Sequence, residues 1–523
     1  MTTFRDAVSK YTEDAVYRLE RWRERTLKGF DLDLRSQVFH DRSRQEVMDE
    51  WQSILFEYEL DPVLKQFELS EQEGIGPYSL QMGWHEKQLN GDTRAQAARD
   101  QFGPRPASID ESAYNTALEM VRSLVPRGSL STLRLEVVLE RTPSTTNLGL
   151  PEFSRDRRYV DSYERRARAG LSGKDWSLEP WIAGWRGQPG GMNPDWSKQR
   201  LLYMGDHAET WAGGAVMYPI LDYLRDHYPE HSAWVSDEAV ADRVLWLLRY
   251  AARNGLTVFS TDFSGFDASI PARILHDVFD AMRWWFSSEL HALPQIEESF
   301  IQSSLLTPDG LLRNSEGGIP SGSVFTGLVG TIVNRLSAFY IATRLGTKVE
   351  GTYLGDDALN VYASNPTADD IEGIGNELNL DLNASKQYVA RGSAHYLQNV
   401  FVLEGRGLLQ SGGIRPTFRA LNGILSYERQ RNSKDWTPAL AAVRTITQLE
   451  RCKYHPAHRD FVKFIAQGDR RLLQEDPMRL LKRGGGAQKA NDALGFTAYR
   501  YSGADAAGFA SYRTVSVLRE LQS

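Results

Sequence analysis

The segment GTYLGDDALNVYA (residues 351–363) has the pattern of a tight β-hairpin. Short runs of apolar and β-branched residues flank Gly355 and Asp356, and these two residue types are favoured where a chain reverses between strands. The same turn carries a second acid, Asp357. We therefore expect two adjacent carboxylates to project from the tip of an antiparallel hairpin.

A second strand also ends in an acid. LTVFSTDF (256–263) is a β-rich run that leads out of Gly255 and reaches Asp262. Only a fold that pairs this strand with the hairpin brings Asp262 near Asp356 and Asp357. Three converging carboxylates, with no histidine or cysteine in these motifs, suit Mg²⁺ or Mn²⁺ and do not suit zinc. Two such ions about 3.5–4 Å apart can activate a hydroxyl and stabilise a leaving pyrophosphate.

A Gly-Asp-Asp triplet alone could be an ordinary surface turn, so the order of the surrounding segments matters. DFSGFD (262–267) places Asp267 five residues after Asp262. PSGS (320–323) precedes a helical pattern that runs from Val324 to Phe339. LDLNASKQYV (380–389) follows the hairpin and contains Lys386.

In this order the segments resemble the palm motifs of viral RNA-dependent RNA polymerases, most of all those of picobirnaviruses and partitiviruses. TDFSGFD resembles motif A, SGSVFT with the later Asn334 resembles motif B, LGDD resembles motif C, and the Lys386 segment resembles motif D. HYLQNVFVLEGRGLL (395–409) lies where motif E would be, KQR (198–200) resembles motif F, and TTNLGLP (145–151) resembles motif G.

The resemblance implies a role for each matching residue. Asp262 and Asp356 would hold two Mg²⁺ or Mn²⁺ ions, Asp357 would assist, and Lys386 would protonate pyrophosphate as a general acid. The other positions divide between nucleotide and template: Lys198 and Arg200 on the triphosphate, Asp267 on the ribose hydroxyls, Ser321 and Gly322 in a mobile loop, Thr326 at the nucleotide site, and Gly149 and Pro151 at the template entrance.

One position departs from the pattern of many positive-strand virus polymerases. They have an asparagine four residues after the motif B threonine, where this chain has Gly330; Asn334 comes one helical turn later. Ribose selection would then depend on Asp267 with Thr326 or Thr331, or on Asn334. Simpler interpretations also stay open: Asp267 as a cap of the helix near Pro271, and Asn334 as a satisfied buried amide. Lys386, and the pair Lys198 and Arg200, could also be solvated surface cations.

The fold class that the resemblance implies is α+β, a mostly helical right-hand polymerase with a small antiparallel palm sheet and closed fingers and thumb. The expected domains are an N-terminal helical bridge (1–60), fingers (61–254 and 271–330), palm (255–270 and 331–404), thumb (405–486) and a C-terminal tail (487–523) that could reach back toward the active site. Residues 1–35 read as one amphipathic helix, and residues 180–196, rich in Gly, Pro and Trp, as an irregular loop.

Composition narrows the alternatives. The 523 residues carry 61 Lys and Arg against 68 Asp and Glu, a net charge of −7, so a simple basic nucleic-acid coat protein is not expected. One cysteine excludes an internal disulfide and a cysteine zinc cluster. No apolar run is long enough to predict a membrane span, and the charged N-terminus is unlike a secretory signal. The arginine-rich segment 153–170 could be a solvated helix face or a nucleic-acid contact.

The predicted function is template-directed RNA synthesis from NTPs that replicates and transcribes a double-stranded RNA genome. The expected partners are template RNA, nascent RNA and a capsid protein, with no membrane, and the expected location is the virion interior and the host cytoplasm. Two alternatives stay open: a reverse transcriptase, against which Gly355 and Asp267 argue, and a non-catalytic RNA-binding virion component. The intact acids argue against the latter, because a scaffold has no need of mutually repelling carboxylates.

Overall fold

A computed structural model describes the chain from residue 2 to residue 523 with gaps. The gaps are residues 30–33, 77–82, 88–92, 101–106, 143–145, 175, 188–198, 303, 314–316, 405–406, 409, 411, 428–435, 488 and 491–505. Backbone alone is described for residues 186–187, 199–200, 407–408 and 506–507.

Short strands form three sheets in the described part of the chain. The strands are β1 (Thr2–Thr3), β2 (Trp181–Gly187), β3 (Gln199–Met204), β4 (Val258–Thr261), β5 (Leu305–Thr307), β6 (Gly310–Leu312), β7 (Val349–Leu354), β8 (Asp357–Tyr362), β9 (Tyr388–Ala390), β10 (Ser393–Tyr396), β11 (Asn399–Glu404) and β12 (Gly407–Leu408). Their orders are β1-β6-β5-β2-β3, β7-β8-β4-β9 and β10-β11-β12, and every pairing is antiparallel except β2 with β5.

Helices make up most of the remaining described structure. They are α1 (Phe4–Val8), α2 (Glu13–Lys28), α3 (Arg44–Leu55), α4 (Pro62–Glu73), α5 (Arg94–Asp100), α6 (Glu111–Arg122), α7 (Leu135–Arg141), α8 (Val160–Leu171), α9 (His207–His227), α10 (Asp237–Asn254), α11 (Phe266–Ser269), α12 (Ala272–Trp285), α13 (Leu293–Ile301), α14 (Thr326–Arg344), α15 (Ala368–Asn376), α16 (Thr417–Leu425), α17 (Pro438–Glu450), α18 (His458–Gly468), α19 (Arg471–Gln474), α20 (Pro477–Arg483), α21 (Ala506–Ala510) and α22 (Arg513–Gln522). The predicted mixture of many helices with small antiparallel sheets is confirmed.

The four-stranded sheet lies between two hydrophobic cores. Phe259 and Tyr362 pack into the core that contains α12 and α14. Val258 and Leu359 point the other way, into a core with α10. Side chains alternate between the faces of a strand, so neighbouring residues of one strand serve different cores. Coverage on both faces explains why apolar residues occupy successive positions of β4, at Val258 and Phe259, instead of alternate ones.

The N-terminus contacts two separate cores. The expectation of one helix over residues 1–35 is wrong, because Thr12 caps a second helix and the chain breaks between α1 and α2. Strand β1 pairs with β6, and Trp22 of α2 packs in the core around Trp181. Helices α3 and α4 lie elsewhere: Trp51 packs among residues of α16, α17 and α18. The helical spacing of apolar residues continues across the break, so it does not show where one helix ends. The side-chain cap at Thr12 sets the start of α2.

The expectation of an irregular loop over residues 180–196 is wrong for its first part. Residues 181–187 form β2, which pairs with β3 over six residue pairs and with β5 in parallel. Trp181, Ile182 and Ala183 are buried. The Trp and apolar residues of this segment therefore pack a strand into a core. Residues 188–196 lie outside the described residues.

Two further segments can be placed. The arginines of α8 are partly paired: Arg166 binds Asp206 through two nitrogens, and Arg168 contacts Glu136 and Glu164. Helix α22 packs against α17, α18 and α19, and Leu518 is fully buried. None of the helices in the described part of the chain is long and apolar enough to cross a membrane.

The start of α9 buries an acid, Glu209, that is 2% exposed and accepts a hydrogen bond from Ser299 Oγ at 2.9 Å. Burial raises the pKa of Glu209 to about 8. The folded protein therefore keeps this carboxyl protonated at pH values where the unfolded chain has already ionised it. A raised carboxyl pKa gives stability that is full below about pH 4.5 and declines as the pH rises toward 8.

We therefore predict that Glu209→Gln removes this part of the pH dependence. The variant should unfold close to the wild-type temperature near pH 5 and a few degrees above it at pH 8, a difference of order 3 kcal/mol. Thermal unfolding of both proteins across pH 5–8 measures the effect. Parallel curves for the two proteins would contradict the assignment.

Candidate active site

Strand register brings the predicted acids to one edge of the four-stranded sheet. Thr261 of β4 pairs with Ala358 of β8, and Leu354 pairs with Asp357 across the hairpin. Continuing the antiparallel register by one residue sets Asp262 opposite Asp357, with Asp356 beside it in the turn. Residues opposite each other in such a ladder have Cα atoms about 4.5–5.5 Å apart. Gly355, at φ 60°, has the left-handed conformation that favours glycine in the turn.

The donor chemistry of this edge fits a hard divalent cation. Asp262, Asp356 and Asp357 are all exposed carboxylates at strand ends. Among the described residues, no group of three His, Cys, Asp or Glu side chains is arranged so that it could hold a metal ion as it stands. Oxygen donors of one charge repel each other, and Mg²⁺ or Mn²⁺ supplies the compensating charge.

Helix α14 lies directly under the turn formed by residues 354–357, which we call the acidic turn. Thr331 Oγ1 accepts a hydrogen bond from the Gly355 N–H at 2.8 Å. Asn334 Nδ2 donates to the carbonyls of Gly355 and Asp356 at 3.0 and 3.1 Å. Asn334 is 1% exposed. The structure thus places Asn334 under the turn and in contact with its backbone.

Asp267 is a half-buried residue of the short helix α11, five residues after Asp262. Its backbone carbonyl accepts a hydrogen bond from the Ile319 N–H at 2.7 Å, which ties the segment to the Gly- and Pro-rich loop before α14. The alternative that Asp267 is the N-cap of the next helix is wrong, because Pro271 holds that position.

The loop before α14 packs closely against β3. Ser321 Oγ donates to the Leu201 carbonyl at 3.3 Å. An ideal Cβ on Gly322 would lie 1.6 Å from the Tyr203 carbonyl oxygen, so only glycine fits. Thr326 Oγ1 donates to the Pro320 carbonyl at 2.6 Å and closes the loop onto the start of the helix.

The same strand contains one residue of the predicted triphosphate clamp, Arg200. Its backbone pairs with that of Arg186, and its side chain is outside the described structure. Lys198 lies outside the described residues. Residues 199–200 of the segment that resembles motif F therefore belong to the strand that contacts the loop resembling motif B.

Lys386 reaches the strand end that carries Asp262. Its Nζ donates to Ser264 Oγ at 2.9 Å, and Ser264 lies two residues after Asp262. A backbone bond from the Ser264 N–H to the Asp381 carbonyl at 2.8 Å joins the two segments. The structure thus brings Lys386 to the same edge as the acids.

Comparison with known proteins agrees with this geometry. Residues 196–416, which include Arg200, the acids and Lys386, match the family model for viral RNA-dependent RNA polymerase. The chain contains a viral RNA-directed RNA polymerase domain.

Relatives of this polymerase domain extend the similarity along the chain. A protein of human picobirnavirus described as a potential RNA-dependent RNA polymerase is 28% identical over 484 residues, which cover 88% of this chain and 87% of the relative. The RNA-directed RNA polymerase of Cryptosporidium parvum virus 1 is 34% identical over 91 residues, 17% of each chain. The crystal structure of a human picobirnavirus RNA-dependent RNA polymerase superimposes with a TM-score of 0.84 at 23% identity, covering 99% of this chain and 100% of that one.

The residues that resemble motif G lie in a packed loop outside the acidic edge. Gly149 has φ 73°, and an ideal Cβ on it would lie 2.0 Å from the Gly205 carbonyl oxygen. Tyr163 Oη donates to the Gly149 carbonyl at 2.7 Å, and Pro151 is half-buried. These contacts give Gly149 a packing role whether or not it meets template.

Two contacts in the polymerase domain were not foreseen from the sequence. Ser264 holds Lys386, and Thr331 holds the acidic turn. The available signal was position alone: Ser264 lies inside DFSGFD, and Thr331 precedes Asn334 by almost one helical turn on the same face.

Proposed function

We propose that the chain copies RNA by transferring a nucleotidyl group from an NTP to the 3′-hydroxyl of a growing RNA, with release of pyrophosphate. The observation that carries the proposal is the register that sets Asp262 opposite Asp357 and next to Asp356. The match to viral polymerases over residues 196–416 supports the same reaction.

The carboxylates are proposed as ligands of two Mg²⁺ or Mn²⁺ ions. Asp262 and Asp356 would hold both, with Asp357 assisting. When bound, such ions activate the attacking hydroxyl and neutralise charge on the leaving pyrophosphate. The chain itself contributes the orientation of the carboxylates, through strand register and through the contacts of α14 with the acidic turn.

The remaining predicted residues are proposed to bind substrates. Nucleotide contacts are assigned to Lys198, Arg200, Asp267, Ser321, Gly322 and Thr326, and the template entrance to Gly149 and Pro151. The packing of the motif B loop on β3 supports this grouping, because it joins the segment bearing Arg200 to the helix that lies under the acids. The forked guanidinium group of arginine and the compact ammonium group of lysine both suit a polyanionic triphosphate.

The domain organisation is proposed from three packed parts of the structure: the four-stranded sheet, the five-stranded sheet and helices α16–α20. The four-stranded sheet would be the palm, the five-stranded sheet with its helices would belong to the fingers, and α16–α20 would form the thumb. Residues 4–22 pack with the proposed fingers and α3 with the proposed thumb, as a bridge formed by residues 1–60 requires. By the resemblance to picobirnavirus polymerases, the genome would be double-stranded RNA, with a capsid protein as partner and the virion interior and host cytoplasm as locations.

Lys386 is proposed as the general acid for pyrophosphate, and its contact with Ser264 sets its position at the acidic edge. We predict that Lys386→Leu lowers the rate of nucleotide addition by about 10²-fold. Lys386→Arg should lower it by less, because arginine keeps the positive charge, but it should not restore the wild-type rate, because arginine does not release its proton. Single-nucleotide incorporation at saturating NTP measures both. Equal rates for wild type and Lys386→Leu would contradict the role.

The proposed function is tested with the purified full chain, an RNA template, and either four NTPs or four dNTPs, with Mg²⁺ or Mn²⁺. RNA products from NTPs support the proposal, whereas DNA products from dNTPs would favour a reverse transcriptase. RNA binding without synthesis, in the presence and absence of capsid protein, would favour the non-catalytic scaffold.

A further inference from the structure

We propose that Thr331 and Asn334 are positioning residues that hold the acidic turn in place, and that Asn334 does not read the sugar of the nucleotide. This inference rests on the proposed function, because it assigns the residues to the support of the proposed metal ligands. It concerns the side of the turn that faces the protein, away from the exposed carboxylates.

The first observation is that Thr331 gives its hydroxyl to two partners at once. Its Oγ1 donates to the Gly327 carbonyl at 2.6 Å and accepts from the Gly355 N–H at 2.8 Å. The first bond is the usual one of a helical threonine to the preceding turn and fixes the hydroxyl direction. In the second bond, the oxygen of the same hydroxyl accepts a hydrogen from the backbone of the acidic turn. Thr331 is fully buried, so no water replaces this bond at low cost.

The second observation is that the side-chain amide of Asn334 donates hydrogen bonds to the same turn. Nδ2 donates to two successive carbonyls, those of Gly355 and Asp356. The side chain is 1% exposed, and its Oδ1 is buried without a hydrogen-bond partner among the described residues. The amide group is used on the turn, and Oδ1 is enclosed with the rest of the side chain, so we infer that Asn334 does not contact a ribose hydroxyl.

The third observation is the close contact made by Gly330, the residue that replaces the expected asparagine. An ideal Cβ at Gly330 would lie 3.5 Å from the Phe266 ring and 3.6 Å from the Gly355 Cα. Helix α14 is therefore within van der Waals reach of the turn at this point. Thr331 bonds the Gly355 N–H, and Asn334 bonds the Gly355 and Asp356 carbonyls, so the two side chains bond three successive peptide units between residues 354 and 357.

The physical consequence concerns the geometry of the acids. Asp356 and Asp357 are adjacent, carry like charges and stand at an exposed tip, so their repulsion favours distortion of the turn. Three hydrogen bonds from one buried helix oppose that distortion. Residues that orient ligands in this way typically change metal affinity about 10–100-fold when they are removed.

The experiment compares three threonine variants in the full chain. Thr331→Val removes the hydroxyl and keeps the shape, and Thr331→Ser keeps the hydroxyl. Thr343→Val is a matched control, because Thr343 lies on the same helix and donates to the Phe339 carbonyl at 2.8 Å without contacting the turn. We expect Thr331→Val to lower kcat for nucleotide addition by about 10–100-fold with KM for the NTP changed less than about threefold. Thr331→Ser and Thr343→Val should stay within about threefold of wild type.

A second readout needs no catalysis. The rise in unfolding temperature caused by Mn²⁺ gives an apparent metal affinity, which we expect to fall about 10-fold in Thr331→Val and to be retained in the other two variants. Equal Mn²⁺ responses in all variants would overturn the proposal. So would a loss of kcat in Thr343→Val as large as that in Thr331→Val, since it would show a general effect on the helix.

Asn334→Leu, of similar size, tests the sugar question. We expect its preference for NTP over dNTP, as a ratio of kcat/KM values, to stay within about threefold of wild type while kcat falls about 10-fold or more. A collapse of the ratio would overturn the proposal. Were Asn334→Leu not to fold, the Thr331 pair and its Mn²⁺ response decide alone. RNA synthesis by the wild-type chain is the separate test of the proposed function, so the two failures are distinguishable.

Discussion

Replacing Asp356 by Asn, or Asp262 by Asn, is expected to reduce RNA synthesis by at least about 10³-fold while leaving the fold intact. Both residues are exposed at the edge of the four-stranded sheet, and neither contributes an apolar side chain to a core. Asparagine has nearly the same shape but lacks the negative charge that a divalent cation requires. Incorporation of a labelled NTP on an RNA template measures the loss.

The stability of the Asp356→Asn variant should rise slightly or not change. Removing one of two adjacent like charges relieves repulsion, so its unfolding temperature without metal should equal or slightly exceed that of wild type. Asp381→Asn is a suitable control, because Asp381 is an exposed acid whose backbone carbonyl bonds to Ser264 in the same region. Its activity should stay within about threefold of wild type. Full activity in Asp356→Asn would remove the acidic turn from the reaction.

Truncation after Gly486 is expected to prevent stable folding of the C-terminal helical region. It removes α22, whose Val515, Val517 and Leu518 are buried in the core formed with α16, α17 and α18. Exposing that surface costs about 5 kcal/mol or more, which is comparable to the whole stability of a typical domain. We expect an insoluble protein or one that unfolds at least about 10 °C lower.

Point variants separate this packing effect from other roles of the tail. Leu518→Ala should destabilise by about 2–5 kcal/mol, while Ser516→Ala, an exposed neighbour on the same helix, should change little. Equal unfolding temperatures for wild type and Leu518→Ala would contradict the packing. Residues 513–522 pack against α17, α18 and α19. The prediction that the tail reaches back toward the active site therefore stays a prediction for residues 491–505, which lie outside the described residues.

The acidic edge could be predicted from sequence because its signals are local and ordered. The hairpin follows from Gly355 and Asp356 between two apolar runs, and its pairing is confirmed at Leu354 and Asp357. The pairing of the strand before Asp262 with this hairpin is implied by the resemblance to viral polymerases, in which the motifs follow the same order. The spacing of the two segments alone does not predict this pairing, because packing on both faces of the sheet decides which distant strands pair.

Elements that depend on distant partners cannot be predicted well from local sequence. The Gly and Trp residues of β2 have the composition of a loop, and only pairing with β3 and β5 makes this segment a strand. The contacts of Thr331 and Asn334 were equally out of reach, since a helical position gives the face of a side chain but not the neighbour it meets. The break at Thr12 was readable in principle, as a threonine followed three residues later by the first buried helical position.

The most direct test of the central claim is a product analysis with the purified full chain. An RNA template of mixed sequence would be supplied with four NTPs and Mg²⁺ or Mn²⁺, beside the Asp262→Asn variant, and the products would be sequenced. The account predicts RNA complementary to the template from the wild-type chain and at least about 10³-fold less from the variant. Equal amounts of product from both proteins, or product that does not follow the template sequence, would contradict it.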